Sequence, residues 1–162
     1  MDAFNDRPPI RHDVGDADRR DSADPRRALL DRHRGARILV AEDNEVNQIV
    51  VQELLEAAGC TVDMAANGGE AVKLAREGRY DLILMDVHMP VMDGLAATRA
   101  LRAWPGWATP ILAMTADLFD ASRQDCREAG MDDFVIKPFR PDDLYAALLK
   151  WLPPDAGATP PA

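Results

Sequence analysis

Residues 82–94 read LILMDVHMPVMDG. Four apolar residues run straight into Asp86, and a loop containing Pro90 leads to Asp93, a helix N-cap residue followed by Gly94. A short run that is apolar at every position, not at alternate ones, predicts a strand buried on both faces, as in a parallel sheet covered by helices. The same pattern recurs on either side. Ile38-Leu39-Val40 runs into Glu42 and Asp43, Ile111 to Met114 into Thr115, and Phe134-Val135-Ile136 into Lys137-Pro138. Parallel strands end on one edge of their sheet, the edge at which open α/β sheets bind ligands. Three carboxylates, a hydroxyl and an ammonium are thereby predicted to meet at one rim.

Between these strands the pattern turns helical. Strands are predicted near 37–42, 61–65, 81–86, 110–115 and 133–137, and helices near 45–58, 68–77, 94–103 and 119–129 and from Pro141 onward. In the first of these helices Val46, Ile49, Val50, Leu54 and Ala57 are expected to form the buried face, with Gly59 closing it. Asn67 followed by Glu70 has capping-box spacing. Pro141 suits a first helical turn, and Leu144, Ala147, Leu148, Trp151 and Leu152 form the last apolar face. Alternating β and α with short connections predicts right-handed crossovers and helices on both faces of the sheet. The expected fold class is α/β, a doubly wound five-stranded parallel sheet with five helices.

The chain has 162 residues and a net charge of −9. Residues 1–35, rich in Asp, Arg and Pro with scattered apolar positions, are expected to be a disordered or linker tail, with a short helix possible at 26–34. Residues 36–152 form the expected domain, and 153–162 a flexible end. The first 36 residues carry eight acidic and eight basic side chains, so the imbalance falls on the rest, 20 acidic against 11 basic. Such a body disfavours nucleic acid, whose affinity depends on neutralising phosphates. No apolar run is long enough to span a membrane, and no secretory h-region opens the chain. Cys60 and Cys126 have no CxxC spacing and are expected to be reduced, structural thiols. The expected setting is cytoplasmic, and the expected state a monomer or weak dimer.

Crowded carboxylates raise one another's pKa and call for a cation. Hard oxygen ligands with room for water suit Mg²⁺. A lone strand-end acid would be expected only to cap a helix, as Asp43 could. Three acids with Lys137 and Thr115 suit a carboxylate nucleophile attacking phosphorus. The metal, the ammonium and a hydroxyl would each neutralise one phosphoryl oxygen. Neither GxxxxGK[ST] nor GxGxxG is present, and no Ser-centred nucleophile elbow.

ILVAEDNEVNQ, LILMDVHMPVMDG, ILAMTA and the KPF at 137–139, in this order and spacing, resemble the receiver domain of two-component response regulators over residues 36–152. The resemblance implies the flavodoxin-like strand order 2-1-3-4-5. It implies that Asp86 accepts the phosphoryl group, that Asp43 and Asp86 ligate Mg²⁺ directly with Glu42 acting mostly through water, and that the backbone carbonyl of His88 is a further ligand. Lys137 would pair with the phosphoryl group, Lys137-Pro138 would be cis, and Thr115 and Phe134 would form the switch pair. Phe134 departs from the tyrosine common there, so no hydroxyl can report the switch. His88 and Asp117 would tune dephosphorylation. The partner would be a histidine kinase or a histidine phosphotransfer protein, and the chain would catalyse only its own phosphorylation and dephosphorylation. The finer texture, EDNEVNQ and CREAGMDDFVIKPF, is similar to receivers of hybrid sensor histidine kinases. Met1 and the unpatterned tail favour a stand-alone regulator; the alternative is the C-terminal receiver of a hybrid kinase. A phosphate-independent scaffold would be marked by loss of the acceptor or the lysine. A flavin carrier or small-molecule enzyme would need a phosphate-binding loop where Glu42 and Asp43 stand.

Overall fold

Strands β1 (Arg37–Ala41), β3 (Leu82–Asp86) and β4 (Ile111–Thr115) are buried along almost their whole length, and β2 (Thr61–Ala65) and β5 (Asp133–Ile136) are half-exposed edges. This distribution explains the composition: central strands between helix layers need apolar residues on both faces. The computed structural model of the chain describes residues 24–116 and 120–157. All five strands are parallel, in the order β2-β1-β3-β4-β5.

Alternate strand residues face two separate cores. Ile38, Val40, Leu82, Leu84, Leu112 and Met114 pack on helices α1 (Pro25–Arg32), α2 (Glu45–Ala57) and α6 (Pro141–Trp151). Leu39, Ile83, Met85, Ile111 and Ala113 pack on α3 (Gly68–Glu77), α4 (Gly94–Arg102) and α5 (Asp120–Ala129). The sheet is therefore doubly wound, as the crossover rule requires.

The helix starts follow the expected chemistry. Asn67 Oδ1 accepts from the Glu70 N–H at 2.9 Å, while the Glu70 carboxylate reaches back to the Ala66 N–H at 2.6 Å. Asp93 caps α4 through the Ala96 N–H at 2.8 Å. Gly59 and Gly130 close α2 and α5 at φ +86° and +109°, conformations that favour glycine. Both cysteines are free and buried. Burial and the nearby Asp81 push the Cys60 thiol up to about 11, so it stays protonated and unreactive at neutral pH.

Three expectations are corrected. There are six helices among the described residues, not five, because α1 folds within the segment assigned to the tail. Asp24 caps it, Pro25 occupies its first turn, and Leu29 is fully buried against α2 and α6. Burying a leucine contributes about 1.5–3 kcal/mol, which offsets the poor apolar content of this helix. At the other end Ala156 is buried, and its carbonyl lies 3.1 Å from His33 Nδ1, so the start of the supposed flexible end packs back onto the body. The buried face of α2 is Val51, Leu55 and the following Ala58; Val46, Ile49 and Val50 are exposed. On α6 the expected face meets the core: Leu144, Leu148 and Leu152 are buried, Ala147 and Trp151 pack against them half-buried, and Tyr145 joins them, its hydroxyl donating to the Leu54 carbonyl at 2.6 Å.

Candidate functional site

Strand register assembles the site. Ala41 lies opposite Met85, and Asp86 opposite Met114, so Glu42 and Asp43 leave β1 beside the end of β3. Thr115 lies opposite Ile136, which brings Lys137 to the same rim, and the Lys137 N–H donates to the Thr115 carbonyl at 2.8 Å. Carboxylate oxygens of Glu42, Asp43 and Asp86 all lie within 4.8 Å of one another. The Lys137-Pro138 bond is cis.

Lys137 bridges the two buried acids. Its Nζ is 2.8 Å from Glu42 Oε2 and 3.1 Å from Asp86 Oδ2, and these carboxylates are 1 % and 8 % exposed. Burial alone would raise both pKa values, but the two respond differently. Hydrogen bonds from Lys137 and then Asn47 outweigh burial at Glu42 and hold it below its ordinary value. At Asp86 burial and the neighbouring Glu42 prevail over Lys137 and push the carboxyl up to about 6. Two acids that cannot both ionise cheaply thus divide their roles: Glu42 carries the settled charge and Asp86 the costly one. A charge that is costly without a cation is one that a cation would relieve.

The residues fit Mg²⁺. The donors are hard oxygens, and exposed Asp43 leaves a side open for water. Both oxygens of Glu42 are already engaged, Oε2 by Lys137 and Oε1 by Asn47 Nδ2 at 2.9 Å and the Asn44 N–H at 3.3 Å. That leaves Asp43 and Asp86 the better direct ligands. Asn44, not Asp43, caps α2, accepting from the Asn47 N–H at 3.0 Å, so Asp43 is not committed to that role.

The loop after β3 is built around Asp86. The His88 N–H donates to Asp86 Oδ1 at 3.2 Å, while the His88 side chain is exposed. Gly94 donates to the Val87 carbonyl at 2.9 Å, and a Cβ at that glycine would collide with the Asp86 carbonyl oxygen. Thr115 is buried at the end of β4. Val87, His88, Leu95, Thr115 and Phe134 line part of a cavity of about 60 Å³ beside it. Asp117 lies outside the described residues.

Two residues that brace the site were not singled out beforehand. Asn47 holds Glu42 Oε1, and Gln48 Nε2 donates to the Glu42 carbonyl at 2.6 Å. The signal was two amides, Asn47 and Gln48, in the first turn of α2, within reach of the Glu42 that precedes it.

A family profile described as the response regulator receiver domain matches residues 38–149. Probable histidine kinase 1 of Oryza sativa subsp. indica is 36 % identical over 151 residues, covering 74 % of this chain and 16 % of its own length. The chain thus spans about a sixth of that relative. The receiver domain of sensor histidine kinase PA1611 from Pseudomonas aeruginosa, solved with a magnesium ion coordinated in its active site cleft, is 43 % identical, with TM-score 0.69, over 72 % of this chain and 97 % of that one. The receiver domain of the Saccharomyces cerevisiae response regulator Ssk1, in complex with the histidine phosphotransfer protein Ypd1, is 26 % identical, with TM-score 0.69, over 74 % and 90 %. Among the described residues no helix is long and apolar enough to cross a membrane.

Proposed function

We propose, from the premise that this chain belongs to the response regulator receiver family of two-component signalling, that Asp86 is its phosphoacceptor and that Mg²⁺ is its cofactor. The observation that carries this reading is the Asp86 carboxylate, buried at the end of β3, 3.1 Å from Lys137 and within a cluster of three acids.

An Asp86 oxygen attacks the phosphorus of a partner's phosphohistidine. The new O–P bond forms as the N–P bond breaks, and the released imidazole nitrogen takes up a proton. The metal, when bound, neutralises charge on the phosphoryl oxygens. Lys137 leaves Glu42 for, or shares it with, a second phosphoryl oxygen, and Thr115 donates its hydroxyl to the third. Asp43 and Asp86 would hold the metal directly, with Glu42 acting mostly through water and the His88 backbone carbonyl as a further ligand. Hydrolysis later returns the carboxylate, with His88 and Asp117 governing the approach of water. The protein is a switch that catalyses only these two reactions on itself.

The partner is a histidine kinase or histidine phosphotransfer protein. The complex of Ssk1 with Ypd1 supports this by analogy. So does the surface beside the site: Val46 is 67 % exposed and Ile49 59 %, an apolar strip on α2 that a partner helix would cover. Two settings remain in play, a single-domain regulator in the cytoplasm and the receiver of a longer hybrid kinase. The relatives support the second as much as the first: the chain spans 16 % of a probable histidine kinase, and 99 % of the Vibrio cholerae chemotaxis protein CheY4.

Incubation with acetyl phosphate tests the reading. Phosphate labile to acid, base and hydroxylamine, as an acyl phosphate is, should be taken up with Mg²⁺ and not in chelator. Uptake independent of metal would refute it.

A further inference from the structure

Phe134 lies on β5, half-buried, with the guanidinium of Arg123 from α5 over its face at 4.4 Å from the ring centroid. This is the shortest cation–ring pair among the described residues. Arg123 Nε is buried and finds no hydrogen-bond partner among those residues. Arg102, stacked on Trp107, is different in kind: it also donates to Gly130, Thr109 and Asp132, and it clamps the fold. A buried guanidinium N–H without an acceptor is a cost. An arginine kept at that cost, on an aromatic ring beside the site, calls for an explanation.

The surroundings of the ring supply one. A cavity of about 60 Å³, lined by Val87, His88, Leu95 and Thr115, lies on the site side. A second, of about 80 Å³, lined by Arg127, Met131, Asp132 and Asp133, lies on the other. Arg123, Cys126 and Phe134 line both, so the stacked pair is the partition between them. The ring has room to move, and a phenylalanine has no hydroxyl with which to hold either end of that movement. The cation on its face is the polar interaction available to it.

We propose that Arg123 is the positioning residue of this switch: stacked on Phe134, it keeps the ring out of the cavity beside Thr115 until Asp86 is phosphorylated. This rests on the reading of Asp86 as phosphoacceptor. Moving inward takes the ring away from the guanidinium, so stacking favours the resting position, while the unpartnered Nε keeps that preference modest and the switch reversible. A ligand that selects the inward state binds with an apparent affinity scaled by that state's population.

The test uses the full chain with Mg²⁺ and beryllofluoride as the phosphoryl mimic. Fluorine labels go into its four phenylalanines, and the Phe134 resonance is identified by its loss in Phe134→Leu. Arg123→Gln should move that resonance, without the mimic, toward its mimic-bound position. It should also tighten mimic binding by about 2- to 30-fold, the range a cation–ring contact supplies. Arg123→Lys, which keeps a cation, should fall between Arg123→Gln and the unaltered protein. Should Arg123→Gln fail to fold, Arg123→Met makes the same comparison. If the unaltered protein binds the mimic and the charge-removing variant matches it in resonance and affinity, the inference is overturned and the phosphoacceptor reading stands. If the unaltered protein binds no mimic, both are overturned.

Discussion

Asp86→Asn is expected to make the metal-free protein more stable at neutral pH, although it removes the residue at the centre of the site. Burial and Glu42 push the Asp86 carboxyl from 3.8 up to about 6. A displacement of that size corresponds to about 3 kcal/mol against the charged form. That displacement already includes the attraction of Lys137 at 3.1 Å, but asparagine buries an amide N–H that needs an acceptor, which returns part of the gain. The net expectation is about 1–2 kcal/mol, or roughly 2–4 °C in Tm for each kcal/mol. The sign with pH follows from linkage. The folded protein binds this proton more tightly than the unfolded chain, so the contribution of Asp86 to stability is full below 3.8 and is lost as pH rises through about 6. The advantage of the variant should therefore vanish near pH ~4 and reach its plateau above pH ~6. Saturating Mg²⁺ should cancel or reverse it, because the cation binds the folded wild-type site preferentially. Urea unfolding of both proteins across this pH range, in chelator and in Mg²⁺, measures all of this. A variant less stable than the wild type at neutral pH in chelator would refute the electrostatic account of the site.

Asp43→Ala should weaken Mg²⁺ binding about tenfold or more and Glu42→Gln less, since Glu42 is held by Lys137 and Asn47; calorimetric titration distinguishes the two. Gly94→Ala should destabilise the fold by about 1–3 kcal/mol, because the added methyl meets the Asp86 carbonyl; a chemical melt and the rate of phosphate uptake should both report the displaced loop. Leu29→Ala should cost about 2–4 kcal/mol in the unfolding free energy, whereas a residue in a solvated linker would cost nothing measurable.

The site was legible because its chemistry sits at strand ends. Apolar runs located Asp86, Thr115 and Lys137, and parallel pairing placed them at one rim with Glu42 and Asp43. The face of α2 was not legible for the opposite reason. Apolar residues at 46, 49, 50, 51, 54, 55 and 57 surround most of the helix, so periodicity alone could not choose between them. Docking on the sheet and α6 selected Val51 and Leu55 and left Val46 and Ile49 in solvent. Helix α1 was legible only as a possible short helix at 26–34, because its stability comes from tertiary burial of Leu29, while its own composition is charged. The pairing of Arg123 with Phe134 joins residues on two elements that no local spacing connects.

A phosphoryl group transferred to this chain should reside on Asp86. The most direct measurement is mass spectrometry of the protein after reaction with acetyl phosphate and Mg²⁺, with the modified residue mapped in the peptide that carries residues 80–99. A single phosphoryl group is expected, bound as an acyl phosphate on Asp86, absent in chelator and absent in Asp86→Asn. Undiminished phosphorylation of Asp86→Asn, or a phosphoryl group mapped to any other residue of the unaltered protein, would contradict it.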